Sequence, residues 1–397
     1  MFVDEARLRA DFDALARIGA TPGGGVHRPA LGPAHLEARR WFLERARDAG
    51  LDTSVDAAGN HSALLRRGDR TVLLGSHLDS VPDGGRYDGA LGVVAALEVL
   101  RTVADARLDL PVTLEAIDFT DEEGTLVGLL GSLALAGALD DDALAAPRGG
   151  REELTAALAA AGLDEPRLRD ARRDPTSLAG YVELHIEQGP SLDAAGAEIG
   201  LVTAIVGARS FRVAFDGVAA HAGTTPMAGR RDAAVAAAAF VTHVRGVVTA
   251  EFPGAVATVG SIELEPGAFN VIPGRAVVGL EFRASDAVTL DALETRLLAG
   301  VDARVEPVGR WEPTELSPRI RDAAREAATS LGLRAVELPS GAGHDAQALA
   351  SVTDSGMIFV PSDGGLSHSP REHTPWERCV DGANVLLRTA LALATAR

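Results

Sequence analysis

The stretch Thr71-Val72-Leu73-Leu74-Gly75-Ser76-His77-Leu78-Asp79 decides the fold, because an apolar, β-branched run leads directly into two residues that can bind or orient a metal. Residues 112–119 form a second apolar run, and the acidic cluster Asp121-Glu122-Glu123-Gly124 follows it at once. Between the two runs, residues 92–103 have apolar positions at helical spacing. Strands that alternate with helices and carry polar residues just past their ends predict an α/β sheet, with candidate ligands at its carboxyl edge.

The middle of the chain has a different rhythm. Four alternating runs and two helical runs follow in the order β-α-β-β-α-β, which is typical of a ferredoxin-like fold: residues 211–215, 232–248, 257–264, 276–283, 290–299 and 304–310. The α/β rhythm then resumes. We therefore predict an α/β fold with a mixed-sheet catalytic domain, residues 1–208 and 317–397, interrupted by a smaller ferredoxin-like α+β insertion domain, residues 209–316. A length of 397 residues agrees with two domains.

Composition excludes several classes of function. A net charge of −18 would repel the phosphates of a nucleic acid, so no nucleic-acid partner is predicted. Cys379 is the single cysteine, which excludes an intrachain disulfide and a thiolate metal site and fits a reducing compartment. The sequence starts without the features of a signal peptide, and its longest weakly polar run, residues 232–241, is too short to cross a bilayer. We predict a cytoplasmic protein without a membrane partner.

Five scattered residues are candidate metal ligands, and each lies in glycine-rich or apolar surroundings: His77, Asp88, Glu123, His185 and His368. Three imidazoles and two carboxylates suit two divalent cations that share one carboxylate, and such a site makes water a nucleophile at neutral pH. Each residue alone has an ordinary interpretation as well, such as a turn residue for Asp88, a core histidine for His185 or a surface loop for His368. Their joint presence in one chain favours the metal site.

Two further acidic residues have candidate roles beside these ligands. His77 and Asp79 lie on the same side of an extended segment, so Asp79 can accept the other ring N–H of His77 and fix its tautomer. Adjacent glutamates can divide the work, with one on the metal while its neighbour moves protons between water and the leaving group. The sequence therefore predicts a hydrolytic metal centre.

Five strings carry a more specific signal: Gly75-Ser76-His77-Leu78-Asp79-Ser80-Val81-Pro82 with Gly84-Gly85-Arg86-Tyr87-Asp88-Gly89, Glu183-Leu184-His185-Ile186-Glu187-Gln188-Gly189-Pro190, Ala220-His221-Ala222-Gly223-Thr224-Thr225-Pro226-Met227, Asn270-Val271-Ile272-Pro273-Gly274, and Gly341-Ala342-Gly343-His344-Asp345-Ala346. Their joint pattern resembles the hydantoinase/carbamoylase branch of the M20 metallopeptidase superfamily over essentially the whole chain. That branch includes N-carbamoyl-L-amino-acid hydrolases, β-ureidopropionases and allantoate amidohydrolases.

The resemblance implies a role for each candidate in the catalytic domain. One metal ion would be bound by His77 and His185, the other by Glu123 and His368, and both by Asp88. The general base and acid would be Glu122, with Asp79 behind His77.

The resemblance also implies substrate-binding residues. From the insertion domain, His221 and Asn270 would reach the substrate, and Arg283 would anchor its carboxylate through a planar fork of donors. Gln188 and His344 are further candidates for the pocket lining. In relatives the insertion domain mediates dimerisation, so we expect a homodimer, with His221 in its own site or in that of the partner subunit.

We therefore predict a dinuclear metal-dependent amidohydrolase that cleaves the C–N bond of an N-carbamoyl amino acid or a similar small carboxylate. Zinc is the first expectation for the two cations per subunit, with manganese, cobalt or nickel as alternatives. An allantoate amidohydrolase or an N-acyl amino acid amidase on the same site is the alternative within this chemistry. A non-catalytic binding protein that retains the fold is the alternative outside it. Leu126 and Ser210 stand where relatives usually have arginine, which leaves the substrate open.

Overall fold

The computed structural model describes residues 1–395. They form two compact units, of which the first joins Met1–Thr203 with the chain from Glu315 onward and the second is Ala204–Thr314. The first unit has the mixed α/β architecture predicted from the sequence, and the second is α+β.

The strands are β1 (Asp52–Val55), β2 (His61–Leu65), β3 (Thr71–His77), β4 (Thr113–Phe119), β5 (Leu178–Ile186), β6 (Ile199–Ile205), β7 (Gly207–Asp216), β8 (Ala220–His221), β9 (Val256–Glu265), β10 (Val271–Ile272), β11 (Arg275–Ala284), β12 (Arg304–Trp311), β13 (Thr314–Glu315), β14 (Ala335–Ser340) and β15 (Ser355–Val360). The α-helices are α1 (Glu5–Leu15), α2 (Pro33–Asp48), α3 (Ala90–Asp105), α4 (Leu130–Ala136), α5 (Asp141–Ala145), α6 (Arg151–Ala160), α7 (Ser191–Ala195), α8 (Ala233–Glu251), α9 (Ala287–Leu298), α10 (Pro318–Ser330), α11 (Asp345–Leu349) and α12 (Trp376–Thr395).

A nine-stranded mixed sheet organises the first unit, in the order β1-β2-β4-β3-β5-β15-β6-β13 with β14 beside β6. The central strands β4, β3, β5 and β15 are parallel, and β4 and β5 are buried at every residue. Strands covered by helices on both faces are buried along their whole length, which explains why most residues of β4 and β5 are apolar. Because parallel strands end at the same edge, the polar residues that follow β3 and β4 emerge together with those at the end of β5.

A four-stranded antiparallel sheet organises the second unit, in the order β12-β7-β11-β9. Its elements follow the predicted β-α-β-β-α-β order, and the short strands β8 and β10 pair separately. Along β11, buried and half-buried residues alternate, as expected for a sheet with helices on one face. The apolar core of this unit joins residues of both helices and the sheet, among them Phe211, Phe240, Phe282 and Leu290.

Helix α8 continues beyond the weakly polar run at residues 232–241 and covers most of the helical run predicted for residues 232–248. It spans 19 residues with a mean hydropathy of 1.5, which by length and composition alone would suffice to cross a membrane. Phe240, Val244 and Val247 are buried against the sheet of the second unit. A helix that packs on the core of a protein can have the same length and composition. These properties of α8 are therefore weak evidence for a membrane span.

The backbone N–H and carbonyl groups of Leu78, directly after β3, are each held by a buried charged side chain. The Asp118 carboxylate accepts the Leu78 N–H at 2.7 Å, and the Arg28 guanidinium donates to the Leu78 carbonyl oxygen at 2.8 Å. Arg39 in α2 donates to Asp118 at 2.8 Å and to Thr120 Oγ1 at 2.9 Å. Arg28, Arg39 and Asp118 are at most 1% exposed. Buried charges from three distant segments therefore fix the chain where it leaves β3.

We expect Arg39→Met to lower the free energy of unfolding by roughly 3–5 kcal/mol, because it leaves the buried Asp118 carboxylate without its charge partner. Urea denaturation followed by circular dichroism measures this loss. The control is Arg167→Met, whose ion pair with Asp170 is exposed and should contribute less than about 1 kcal/mol. Equal losses in the two variants would contradict a supporting role for the buried pair.

Candidate metal centre

His77, at the end of β3, is buried, and its ring orientation is set by a backbone carbonyl group. Its Nδ1 lies 3.0 Å from the Asp79 carbonyl oxygen, which only accepts, so Nδ1 carries the ring proton. The Asp79 carboxylate lies 3.7 Å from this nitrogen and accepts the N–H groups of Glu122 at 3.3 Å and Glu123 at 3.2 Å. In this structure the Asp79 carbonyl oxygen takes the ring hydrogen bond, and the predicted role of the Asp79 carboxylate behind His77 stays a prediction. The Asp79 carboxylate holds the turn that carries both glutamates.

Asp88 lies at the centre of the cluster, and one residue, Gly89, separates it from the start of α3. Its Oδ1 is 3.0 Å from His185 Nε2 and 3.7 Å from His77 Nε2. Its Oδ2 is 3.3 Å from His368 Nε2, which is 3.5 Å from Glu123 Oε2. Within each of these two sets, the possible ligand atoms all lie within 4.8 Å of one another. The structure thus brings the five candidate ligands together, and the two oxygens of Asp88 face two different sets.

The ring tautomers agree with metal binding at the first set. His185 Nδ1 lies 2.8 Å from the Ile186 carbonyl oxygen, so this nitrogen carries the proton, as Nδ1 does in His77. The Nε2 atoms of both rings are then the ones beside Asp88 Oδ1, an arrangement that a proton or a cation between nitrogen and oxygen would stabilise. Burial disfavours a charged ring, but the hydrogen bond and charge of Asp88 outweigh it and raise the pKa of His185 to about 9.

Buried carboxylates crowd around these rings. Burial and then the neighbouring charges of Asp345 and Glu123 raise the pKa of Glu122 well above its usual range. Burial and then Asp88 raise the pKa of Glu123 to about 7. Cations held by such groups would offset this repulsion. Imidazole and carboxylate donors without a thiolate suit divalent zinc, manganese, cobalt or nickel, so the residues present fit the metal ions predicted from the sequence.

Gln188 and His344, predicted to line the pocket, both lie at the edge of this cluster. Gln188 Nε2 donates to Asp88 Oδ2 at 2.9 Å and to Ser367 Oγ at 3.1 Å. The His344 ring centroid lies 4.5 Å from that of His185, and its Nε2 is 3.0 Å from Ser340 Oγ. Burial, and then the charge of His185, hold the pKa of His344 well below its usual range, so its ring is neutral.

His221 and Asn270 lie together in the second unit. Strands β8 and β10 pair His221 with Val271, and the Asn270 carbonyl oxygen accepts the Ala222 N–H at 2.9 Å. His221 Nδ1 accepts the N–H groups of Gly223 at 3.1 Å and residue 224 at 3.2 Å. Because Nδ1 accepts, the proton of the neutral ring lies on Nε2, which makes exposed His221 a hydrogen-bond donor.

Arg283 lies on β11 of the second unit beside an acidic residue. Its Nε donates to Glu281 at 2.9 Å, and Ser210 Oγ donates to the other oxygen of the same carboxylate at 3.2 Å. The guanidinium is about half-exposed. Glu281 thus links Ser210, one of the two departures from the resemblance, to the predicted carboxylate anchor.

Two carboxylates that hold the ligand-bearing loops were not predicted from the sequence. Asp121, which has a φ of 58°, accepts three successive N–H groups from residues 126–128, at 2.9, 2.6 and 2.9 Å. Glu372 accepts the N–H groups of residues 87 and 88, at 2.8 and 3.1 Å. The position of Asp121 after a buried strand was a usable signal. Glu372 sits 284 positions after Asp88, so local sequence carried no sign of the contact.

Comparison with known proteins places the chain in a family. A family model described as peptidase family M20/M25/M40 matches residues 73–392. The chain belongs to this family. It is 39% identical over 407 residues to an N-carbamoyl-L-amino-acid amidohydrolase of Paenarthrobacter aurescens, covering 98% of this chain and 97% of that protein. It is 34% identical over 388 residues to an allantoate amidohydrolase of Bacillus subtilis (strain 168), covering 94% and 93%.

A solved structure gives the same result. The amidase of the hydantoinase/carbamoylase family from Burkholderia multivorans superimposes with a TM-score of 0.91 at 35% identity, covering 100% of this chain and 99% of that chain. The resemblance to the hydantoinase/carbamoylase branch of the M20 superfamily is thereby confirmed. Enzymes of this family are metal-dependent, in agreement with the clustered ligands of this member.

We expect His368→Ala to lower the metal content of the protein, because it deletes a candidate ligand of the set that also contains Glu123. Elemental analysis after loading with Zn²⁺ and dialysis gives the metal content. The matched control is His373→Ala. The rings of His368 and His373 lie in one loop, are both about half-exposed and both face a carboxylate, which for His373 is that of Asp363. The expectation is wrong if the two variants retain equal amounts of metal.

Proposed function

We propose that the protein is a dinuclear metal-dependent amidohydrolase that cleaves the C–N bond of an N-carbamoyl amino acid. The observation that carries the proposal is the Asp88 carboxylate, whose two oxygens face separate sets of ligands. His77 and His185 would hold one cation, and Glu123 and His368 the other. When bound, such cations polarise a carbonyl group and make water acidic enough to act as a nucleophile at neutral pH. Zinc is the first candidate, ahead of manganese, cobalt and nickel.

Glu122 is the residue proposed to move protons in this reaction. Its backbone is fixed by the Asp79 carboxylate, and its Oε2 lies 3.5 Å from His77 Nε2. It takes a proton from the water that attacks the carbonyl carbon and delivers a proton to the leaving nitrogen as the C–N bond breaks. The raised pKa of Glu122, caused first by burial and then by neighbouring carboxylates, makes the protonated form easier to reach. From an N-carbamoyl amino acid the products are the amino acid, ammonia and carbon dioxide.

The second unit, Ala204–Thr314, is proposed to be the insertion domain that recognises the substrate and mediates a homodimer. His221 Nε2–H is a donor suited to the oxygen on which negative charge develops, and one well-placed donor of this kind typically contributes about 3–4 kcal/mol. Asn270 lies next to His221 across the β8–β10 pair and offers a further amide group. Arg283 presents a half-exposed guanidinium on the same unit and is proposed to bind the substrate carboxylate.

An allantoate amidohydrolase is the second candidate function. It is supported by the 34% identity to the enzyme of Bacillus subtilis (strain 168). That match covers nearly as much of this chain as the match to the N-carbamoyl-L-amino-acid amidohydrolase of Paenarthrobacter aurescens. Allantoate also carries a carboxylate and ureido groups, so the same metal centre and Arg283 would serve it. The higher identity, 39%, belongs to the N-carbamoyl-L-amino-acid enzyme, which is why we place that activity first.

A substrate panel on the metal-loaded protein tests the proposal. We expect ammonia release from N-carbamoyl amino acids, with lower kcat/KM for their methyl esters because Arg283 loses its anionic partner. In Arg283→Ala, acids and esters should become similar. Turnover of allantoate alone would transfer the function to the second candidate. Turnover of neither compound would contradict both.

We expect Glu122→Gln to retain both metal ions while kcat falls by about 10²–10⁴, because an amide cannot transfer the proton. Turnover and metal content are measured on the same preparation. Glu123→Gln is the contrasting variant, since it should lose metal together with activity. A Glu122→Gln protein that keeps most of its turnover would remove Glu122 from the mechanism.

A further inference from the structure

Glu372 is a buried carboxylate whose two oxygens bond different ligand-bearing loops. It is 4% exposed. Its Oε1 accepts the N–H groups of Tyr87 at 2.8 Å and Asp88 at 3.1 Å. Its Oε2 accepts the hydroxyl proton of Ser367, the neighbour of His368, at 2.7 Å. One side chain therefore connects two loops. The first carries Asp88, the candidate ligand that belongs to both sets, and the second carries His368, which belongs to only one.

The hydrogen bonds around Glu372 form a closed ring with defined directions. A carboxylate only accepts, so Ser367 donates to Glu372 and its oxygen accepts from Gln188 Nε2 at 3.1 Å. The same Gln188 nitrogen donates to Asp88 Oδ2 at 2.9 Å. Asp88 is thus held twice, through its backbone N–H by Glu372 and through its side chain by Gln188. The side-chain contact depends on Ser367 keeping its orientation.

The local backbone accommodates this carboxylate at a specific position. A Cβ atom at Gly85 would overlap the Glu372 carboxylate, so the close approach requires glycine there. His368 has a φ of 52°, in the left-handed region that non-glycine residues seldom adopt. Both features lie in the two loops that Glu372 joins, and both are consistent with a geometry fixed by the contact between them.

We propose that Glu372 is a positioning residue that sets the spacing of Asp88 and His368 and thereby the affinity for the second cation. This inference rests on the dinuclear site of the proposed function. Partners that orient ligands from behind typically change metal affinity by about 10–100-fold when mutated. Glu372 acts on the set of Asp88, Glu123 and His368, so the set of His77 and His185 should be affected less.

Titration of the metal-free protein with Co²⁺ tests the inference, by calorimetry and by the visible absorption spectrum of the bound ion. We expect two equivalents in the wild type. In Glu372→Gln the second equivalent should bind about 10–100-fold more weakly, with the first nearly unchanged. In this variant the side-chain amide at position 372 donates a hydrogen bond to the Ser367 oxygen instead of accepting one. The Ser367 hydroxyl proton is then free to be donated to Asp88. The control is Glu187→Gln, since Glu187 also accepts two backbone N–H groups, of Ser191 at 2.6 Å and Leu192 at 2.8 Å.

Each outcome of this titration has a defined meaning. Two equivalents bound by Glu372→Gln with wild-type affinities would overturn the positioning role and leave the proposed function standing. Equal weakening of both equivalents would also overturn it, because it would indicate general damage. Fewer than two equivalents in the wild type would overturn the dinuclear site and this inference with it. If Glu372→Gln does not fold, Ser367→Ala removes the same link, and an unchanged second affinity in that variant would overturn the proposal.

Discussion

Crowding of buried carboxylates at the carboxyl edge of the parallel strands is the constraint on which the rest of the structure depends. Asp79, Asp88, Glu122 and Glu123 lie in one small region, and burial raises the pKa of Glu122 well above its usual range. Like charges in a buried place repel one another strongly unless positive charge or hydrogen bonds offset them. The chain offers imidazole nitrogens facing Asp88 and backbone N–H groups on Asp79. A cation-binding edge is the arrangement in which all of these groups are satisfied together.

Holding such an edge in place requires support from behind, and the chain uses buried polar groups for this. The backbone N–H of Leu78 is held by Asp118 at 2.7 Å, and its carbonyl oxygen is held by Arg28 at 2.8 Å. Replacing buried ion pairs by apolar residues is often neutral for stability, so their value here lies in fixing geometry. Glu372 acts similarly between two loops. The candidate ligand His77 therefore lies next to the end of a buried hydrogen-bond network that begins in α2.

The fold and the clustering of the five candidate ligands were predictable from the sequence because both leave local signals. Apolar runs marked β3 and β4, and polar residues at one edge follow from their parallel order. Contacts between distant segments leave no such signal, which is why Glu372 and the Arg39–Asp118 pair were not found. The choice between the carbonyl oxygen and the carboxylate of Asp79 as the partner of the His77 ring is likewise a matter of atomic positions, which the residue type does not determine. Sequence patterns identify ligands better than they identify what holds them.

The two departures from the family pattern show how the chain separates chemistry from recognition. Leu126 is buried in an apolar cluster with Leu130 and Leu154, and its N–H is held by Asp121. This substitution therefore joins the packing behind the glutamate turn. Ser210 instead bonds Glu281, the residue that also pairs with Arg283. Neither residue belongs to the candidate ligand groups around Asp88, whereas Ser210 lies beside the charged pair of Glu281 and the proposed carboxylate anchor.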